Sequence, residues 1–178
     1  MKYWITLLAL AFTSNLLADD FGITPADTHA LVTQQPDKVL FIDVRDPVEI
    51  MFIGHPQGAD ANIPFLLVDR SDFDAQNTRF RLNQNPDFAA SVDAALAAKG
   101  LDRSAPVITI CRSGSERGEP SASFLREQGF ADVRYVINGF QGSSRKDAPQ
   151  QGMRTENGWQ NEGLPWSARI NPETIFRP

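Results

Sequence analysis

Cys111 is the only cysteine in the 178 residues, and it opens the run Cys111-Arg112-Ser113-Gly114-Ser115-Glu116-Arg117, followed by Gly118. One thiol can neither close an internal disulfide nor build a multi-cysteine metal site, so it is either buried filler or a nucleophile. The run before it, Val107-Ile108-Thr109-Ile110, reads as a buried strand, and the segment after Gly118 reads as a helix bearing Ala122 and Leu125. A strand that ends in Cys and turns through a Gly/Ser loop into a helix sets the sulfur at the carboxyl edge of a sheet, where open α/β folds hold ligands. Loop amides and a helix N-terminus converging there bind an anion and stabilise a thiolate. Arg112 and Arg117 add positive charge. The chemistry expected is attack by Cys111 on an anionic substrate cradled by Arg112, Ser113, Gly114, Ser115, Glu116 and Arg117.

The elements that must position this loop can be read on both sides of it. Thr24-Pro25-Ala26-Asp27 carries a cap, a proline at the first helical position and an acid in the first turn, and Asp46-Pro47-Val48-Glu49 repeats that signal for a helix to about Phe52. Between them, Val39-Leu40-Phe41-Ile42 is a continuous apolar run ending in Asp43, the pattern of a strand buried on both faces. Gly54 to Pro64 is turn-rich, with a brief strand ending at Asn62-Ile63-Pro64, and residues 65–84 lack clean periodicity and read as a surface excursion on the rim of the site. Asn85-Pro86-Asp87 opens a helix with Phe88, Val92, Ala95 and Leu96 at helical spacing and Gly100 as its stop. Val133 to Ile137 is a third strand closed by Asn138-Gly139; Gln141 to Asn157 is a polar loop insertion, and Trp159 to Trp166 a closing element packed through its tryptophans. Strands alternating with helices predict an α/β fold with a mainly parallel sheet.

Asp43, at a strand end, is expected to support the site, chiefly as a structural acid bonded to turn backbone. Arg45 and Glu49, four apart, read as a local ion pair. His55 and His29 make no metal-ligand cluster with a single Cys, so no metal and no organic cofactor is expected. Arg70, Arg79 and Arg81 form a solvated face that could steer an anion.

Seventeen Lys and Arg against twenty-two Asp and Glu leave a charge of −5, which excludes a general basic surface for nucleic acid. Met1-Lys2, the apolar run Tyr3 to Phe12 and the small-residue end at Ala18 have the order of a secretory signal peptide, leaving residues 19–178 as a single domain. The apolar run is shorter than the roughly 20 residues that span a bilayer and no later segment comes close to that length, so no membrane span is expected in the mature chain. The protein is expected to be exported, to the periplasm if the source is Gram-negative.

Phe41-Ile42-Asp43-Val44-Arg45-Asp46-Pro47-Val48-Glu49, Gly54-His55, Gly58-Ala59, Asn62-Ile63-Pro64, Cys111-Arg112-Ser113-Gly114, Asn138-Gly139-Phe140, Gly158-Trp159 and Gly163-Leu164-Pro165 follow one another as in rhodanese-like domains. The chain resembles that family over about residues 24–166. The resemblance implies a three-layer α/β/α domain with a mainly parallel five-stranded sheet. It also implies a sulfurtransferase, in which Cys111 takes a sulfane sulfur from thiosulfate or a similar small sulfur-containing anion and passes it from a persulfide to a nucleophile. With no second Cys to resolve that persulfide, the thiol acceptor is external.

Two features depart from the family. The turn from Gly54 to Pro64 is one residue longer. The loop from Cys111 to Arg117 is seven residues where ordinary rhodaneses have six, which resembles the cell-cycle phosphatases and arsenate reductases of this fold, and Ser115-Glu116-Arg117-Gly118 closely resembles the phosphatase version. A longer ring of amides can encircle a tetrahedral oxyanion, with Arg117 clamping two oxygens and Glu116 donating a proton. Ile110 stands where those enzymes place His, and Arg112-Ser113-Gly114 follows the sulfurtransferase pattern, so sulfur chemistry is the first expectation and phosphatase or arsenate reductase chemistry the second. A non-catalytic binding module is a third, although such modules typically lack the Cys.

Overall fold

The computed structural model describes residues 21–178; the signal-peptide assignment to residues 1–18 lies outside the described residues. In chain order the elements are β1 (Gly22–Ile23), α1 (Pro25–Gln34), β2 (Leu40–Asp43), α2 (Pro47–Ile53), β3 (His55–Pro56), β4 (Ala61–Asn62), β5 (Leu66–Asp74), β6 (Arg79–Gln84), α3 (Phe88–Ala98), β7 (Pro106–Ile110), α4 (Gly118–Glu127), β8 (Asp132–Val136) and β9 (Trp166–Ser167). Five strands form one parallel sheet in the order β1-β8-β7-β2-β4, which puts the strand that leads into Cys111 at the centre.

The two faces of that sheet bury separate sets of side chains, as alternation along a strand requires. Leu40, Ile42, Val107 and Cys111 pack with Phe88, Val92 and Leu96 of α3 and Ala122 and Leu125 of α4. Phe41, Ile108 and Ile110 pack on the other face with Val32 of α1, Phe140 and Trp159. This is the three-layer α/β/α arrangement expected from the sequence. The proline-led helix starts are capped as read: the Thr24 hydroxyl accepts from Asp27 N–H at 3.1 Å and the Asp46 carboxylate from Val48 N–H at 2.9 Å. Trp159 is fully buried and stacked on Phe41, with its indole N–H donating to the Pro165 carbonyl at 2.8 Å. Trp166 packs edge-on to Phe140 but stays partly exposed, in the short antiparallel pair β3–β9.

Residues 65–84 depart from expectation. They form an antiparallel hairpin of β5 and β6, apart from the main sheet. Both of its faces are largely in contact with solvent, so it has no one-sided apolar alternation to reveal it; Phe73 and Phe80 face each other across the strands in an exposed edge-to-face pair. Asp46 ties the hairpin to the core, since the carboxylate that caps α2 also accepts from Val68 N–H at 3.0 Å.

The expected Arg45–Glu49 pair does not form. Arg45 is fully buried and turns back onto Asp43, with Nε donating to Oδ1 at 2.9 Å and Nη2 reaching both Oδ2 and the Gly54 carbonyl. A charge taken out of water must find its counter-ion at once, and Asp43 is buried two residues away, whereas Glu49 lies on the partly buried first turn of α2 and is taken by Arg117. Asp43 therefore does more than brace turn backbone: it neutralises a buried guanidinium that lies 4.5 Å over the Phe140 ring. Truncating it leaves that charge unpaired. Asp43→Ala is expected to lower unfolding stability by about 3–5 kcal/mol, read from the urea midpoint at constant m-value; a loss below about 1 kcal/mol would show that Arg45 does not depend on it.

Candidate active site

The loop after β7 is held by main chain. Cys111 C=O accepts from Phe140 N–H and Arg112 C=O from Gln141 N–H, both at 2.8 Å, so the start of the loop pairs with the segment leaving β8. Gly114 C=O accepts from Glu119 N–H at 2.8 Å, which closes the loop onto the first turn of α4. Thr109 and Ser121 hydroxyls both donate to Gly118 C=O, at 3.0 and 2.8 Å, and fix where that helix begins relative to the strand.

Two glycines make the fit possible. Gly139 has φ +57°, and a Cβ there would lie 2.4 Å from the Cys111 carbonyl oxygen and 2.7 Å from Gly114 N. Gly114 has φ +86°, with Asn138 N and Val136 O each 3.0 Å from where a Cβ would stand. The Asn138-Gly139 turn thus ends a strand and also forms the floor of the loop.

Within this ring Cys111 is fully buried, and its Sγ accepts from Gly114 N–H at 3.2 Å. The Gly118 backbone passes alongside the sulfur, close enough that a Cβ would sit 3.4 Å from it. The flanking side chains are held in three different ways. Arg117 is buried, and both of its terminal nitrogens grip the Glu49 carboxylate, one at 3.1 Å from Nη2 to Oε2. Burial alone would depress the Arg117 guanidinium, but the Glu49 hydrogen bond and charge, aided by Cys111 and Glu116, carry it above its usual value. Glu116 faces outward and pairs with Arg79 of β6. Ser113 and Ser115 hydroxyls lie 3.3 Å apart. The Nε atoms of Arg112 and Arg117 are buried without a partner among the described residues.

This strand, loop and helix are the geometry of a known family, and the family model described as Rhodanese-like domain matches residues 24–146. The chain belongs to the rhodanese-like family. Among solved structures, Rv0390 from M. tuberculosis is 27% identical with a TM-score of 0.58, the match covering 83% of this chain and 96% of that one. The thiosulfate sulfurtransferase from Pseudomonas aeruginosa is 16% identical with a TM-score of 0.54, covering 89% of this chain but 22% of that longer one. The Alr3790 protein from Anabaena sp. is 17% identical with a TM-score of 0.50, covering 83% and 81%. The last two share the fold. No curated protein sequence matches significantly.

Around this rhodanese-like loop, the structure gathers residues that sequence spacing does not connect. Glu49, from the first turn of α2, reaches Arg117 across 68 positions. Arg79 reaches the loop, whereas Arg81 pairs with Asp72 and Arg70 lines a separate groove with Val48 and Phe80. Asp43 and Arg45 act at one remove: Arg45 lies under Phe140, whose N–H holds the Cys111 carbonyl. His55 spans the Pro56 and Arg169 carbonyls, and no metal-binding cluster occurs among the described residues. Two clefts flank the loop. One of about 260 Å³ lies on the hairpin side against Arg112, Glu116 and Arg117. The other, about 500 Å³, lies on the opposite side between Ser113, Ser115 and the 141–157 insertion.

The glycine floor can be tested against a glycine with the same backbone twist and no neighbour. Gly100 has φ +70° with nothing within 4 Å of a Cβ, so Gly100→Ala carries only the left-handed penalty of about 1–2 kcal/mol. Gly139→Ala adds a collision with the Cys111 carbonyl and is expected to lower Tm further. Equal melting of the two variants would refute the close approach.

Proposed function

We propose that this protein is a sulfurtransferase that carries a sulfane sulfur on Cys111. The observation that carries the reading is the Arg117–Glu49 pair. An arginine at the end of a seven-residue loop serves phosphoryl or arsenyl chemistry by aiming two N–H groups at oxyanion oxygens. Here those groups are occupied by a carboxylate of the same chain, and a phosphate dianion would have to displace that partly buried counter-ion from a buried guanidinium to use them. A persulfide makes a smaller demand. Its terminal sulfur carries one negative charge and needs a few converging N–H donors, of the kind that Gly114 already directs at Sγ.

In the first half-reaction the Cys111 thiolate attacks the outer sulfur of thiosulfate. The new bond joins Sγ to that sulfur, the S–S bond of thiosulfate breaks, and its electron pair leaves with sulfite. In the second, an external nucleophile attacks the outer sulfur, and the Sγ–S pair returns to Cys111 as thiolate. No oxidant or metal is consumed. Cys111 has no exposed surface in the resting loop, so in this reading the donor reaches it as the middle of the loop, Ser113 to Glu116, gives way between its anchored ends. Loop length and the run Ser115-Glu116-Arg117-Gly118 favour a phosphatase or arsenate reductase, but Glu116, the proton donor in that reading, is paired with Arg79.

Thiosulfate with cyanide, run beside a chromogenic phosphate ester, separates the readings. The wild type is expected to form thiocyanate and to gain the mass of one sulfur atom after thiosulfate alone. Cys111→Ser is expected to lose at least about a thousandfold in rate. Hydrolysis of the ester alone would overturn the proposal in favour of phosphoryl chemistry; no modification by either reagent would leave a binding module.

A further inference from the structure

The 500 Å³ cleft beside the loop is far larger than thiosulfate or cyanide needs, and lies in the range that takes a molecule of many atoms. Its far wall is the 141–157 insertion, which is built to hold still. Ser143 N–H donates to the Asn157 side chain at 2.8 Å, Arg145 and Met153 pair through main chain at 2.8 Å, and the Asn161 amide ties together the Gln141, Arg154 and Asn157 carbonyls. The match to the family model ends within this wall, at residue 146.

The charges on that wall are sorted. Asp147 and Glu156 both bind Arg145. Lys146 and Arg154, which line the cleft, have no ion-pair partner among the described residues; the Arg154 guanidinium donates only to the Gly142 carbonyl. Glu119 is the one carboxylate on the lining, at the α4 end. Burial, and then the like charge of Arg112, hold Arg154 below its usual value, with Cys111 and Glu116 acting the other way. The charge of Arg112 is thus felt at Arg154, on the lining of a cleft that also takes in Ser113, Gly114 and Ser115 of the loop, and an anion bound there would relieve it. In a chain of net charge −5 this is a local reversal of sign.

We propose that the cleft is the acceptor subsite, with Lys146 and Arg154 recruiting a low-molecular-weight thiol that carries carboxylates and presenting its sulfur to Cys111. The inference rests on the sulfurtransferase reading and names its second substrate class. The acceptor thiolate attacks the outer sulfur of the Cys111 persulfide; an S–S bond forms on the acceptor, the bond to Sγ breaks, and Cys111 leaves as thiolate. Charge and electrons balance without a co-reactant.

The test isolates the second half-reaction. The purified chain is loaded with thiosulfate, freed of excess, and mixed with glutathione or with glutathione diethyl ester, which keeps the thiol and nearly the same size but masks both carboxylates. The rate of persulfide discharge is followed for the wild type and for the double variant K146Q/R154Q. The wild-type preference for the free acid over the ester is expected to fall by about tenfold in the variant, the equivalent of one strong charge-assisted contact. An unchanged preference, or a parallel loss with both acceptors, would overturn the subsite while leaving the sulfurtransferase intact. Failure of thiosulfate to load Cys111 at all would overturn the sulfurtransferase reading and the subsite with it.

Discussion

The site depends on one contact: the start of the 111–117 loop lying directly on the turn that leaves β8. Two main-chain hydrogen bonds, from Phe140 to Cys111 and from Gln141 to Arg112, fix the first residues of the loop, and Gly139 lets the two backbones approach to distances that no side chain would permit. The contact is available because β7 and β8 are neighbours in a parallel sheet and both end at the same edge. A parallel pair brings two strand-to-loop exits side by side, and that is why this edge is where α/β sheets hold ligands. Phe140 and Trp159, both fully buried, then weight the turn down from the opposite face.

Charge is organised around the same loop by the segment between β2 and α2. Asp43 binds Arg45, and Glu49 binds Arg117, so two buried guanidiniums are neutralised by carboxylates within seven residues of each other in sequence. Such pairs add little stability over a well-packed apolar core, but they are directional, and removing one partner is costly. Their effect here is positional. Arg45 lies under Phe140 and stiffens the floor; Arg117 holds the C-terminal end of the loop against α2. The loop is thereby fixed at both ends, with its middle, Ser113 to Glu116, lying between two clefts that differ in character, one hemmed by the hairpin and one by the insertion.

The part of this that could be read in the sequence is the part encoded locally. Val107-Ile108-Thr109-Ile110 announces a buried strand by composition, Thr24 and Asp46 announce helix starts by the chemistry of capping, and Asn138-Gly139 announces a turn because both residues tolerate positive φ. The hairpin 66–84 escaped because a strand pair wet on both faces has no reason to alternate. The spacing of Arg45 and Glu49 misled because i, i+4 pairing presumes a shared helix face, whereas Arg45 precedes the helix and is pulled inward. The Glu49–Arg117 pair and the placement of Lys146 and Arg154 are products of tertiary folding, and no local pattern carries them.

The proposed chemistry asks an acidic chain to accept an anion, and its buried arginines bear on that demand. Three of their nitrogens, Arg45 Nη1, Arg112 Nε and Arg117 Nε, are buried without a partner among the described residues. A buried donor left unmet costs roughly 1–3 kcal/mol, and two of these three belong to the loop. A fold that only had to be stable would satisfy or discard them. Under the proposed function, donors left unmet at the resting loop would contribute more once negative charge arrives there than before, and interactions that strengthen along a reaction are the ones that accelerate it.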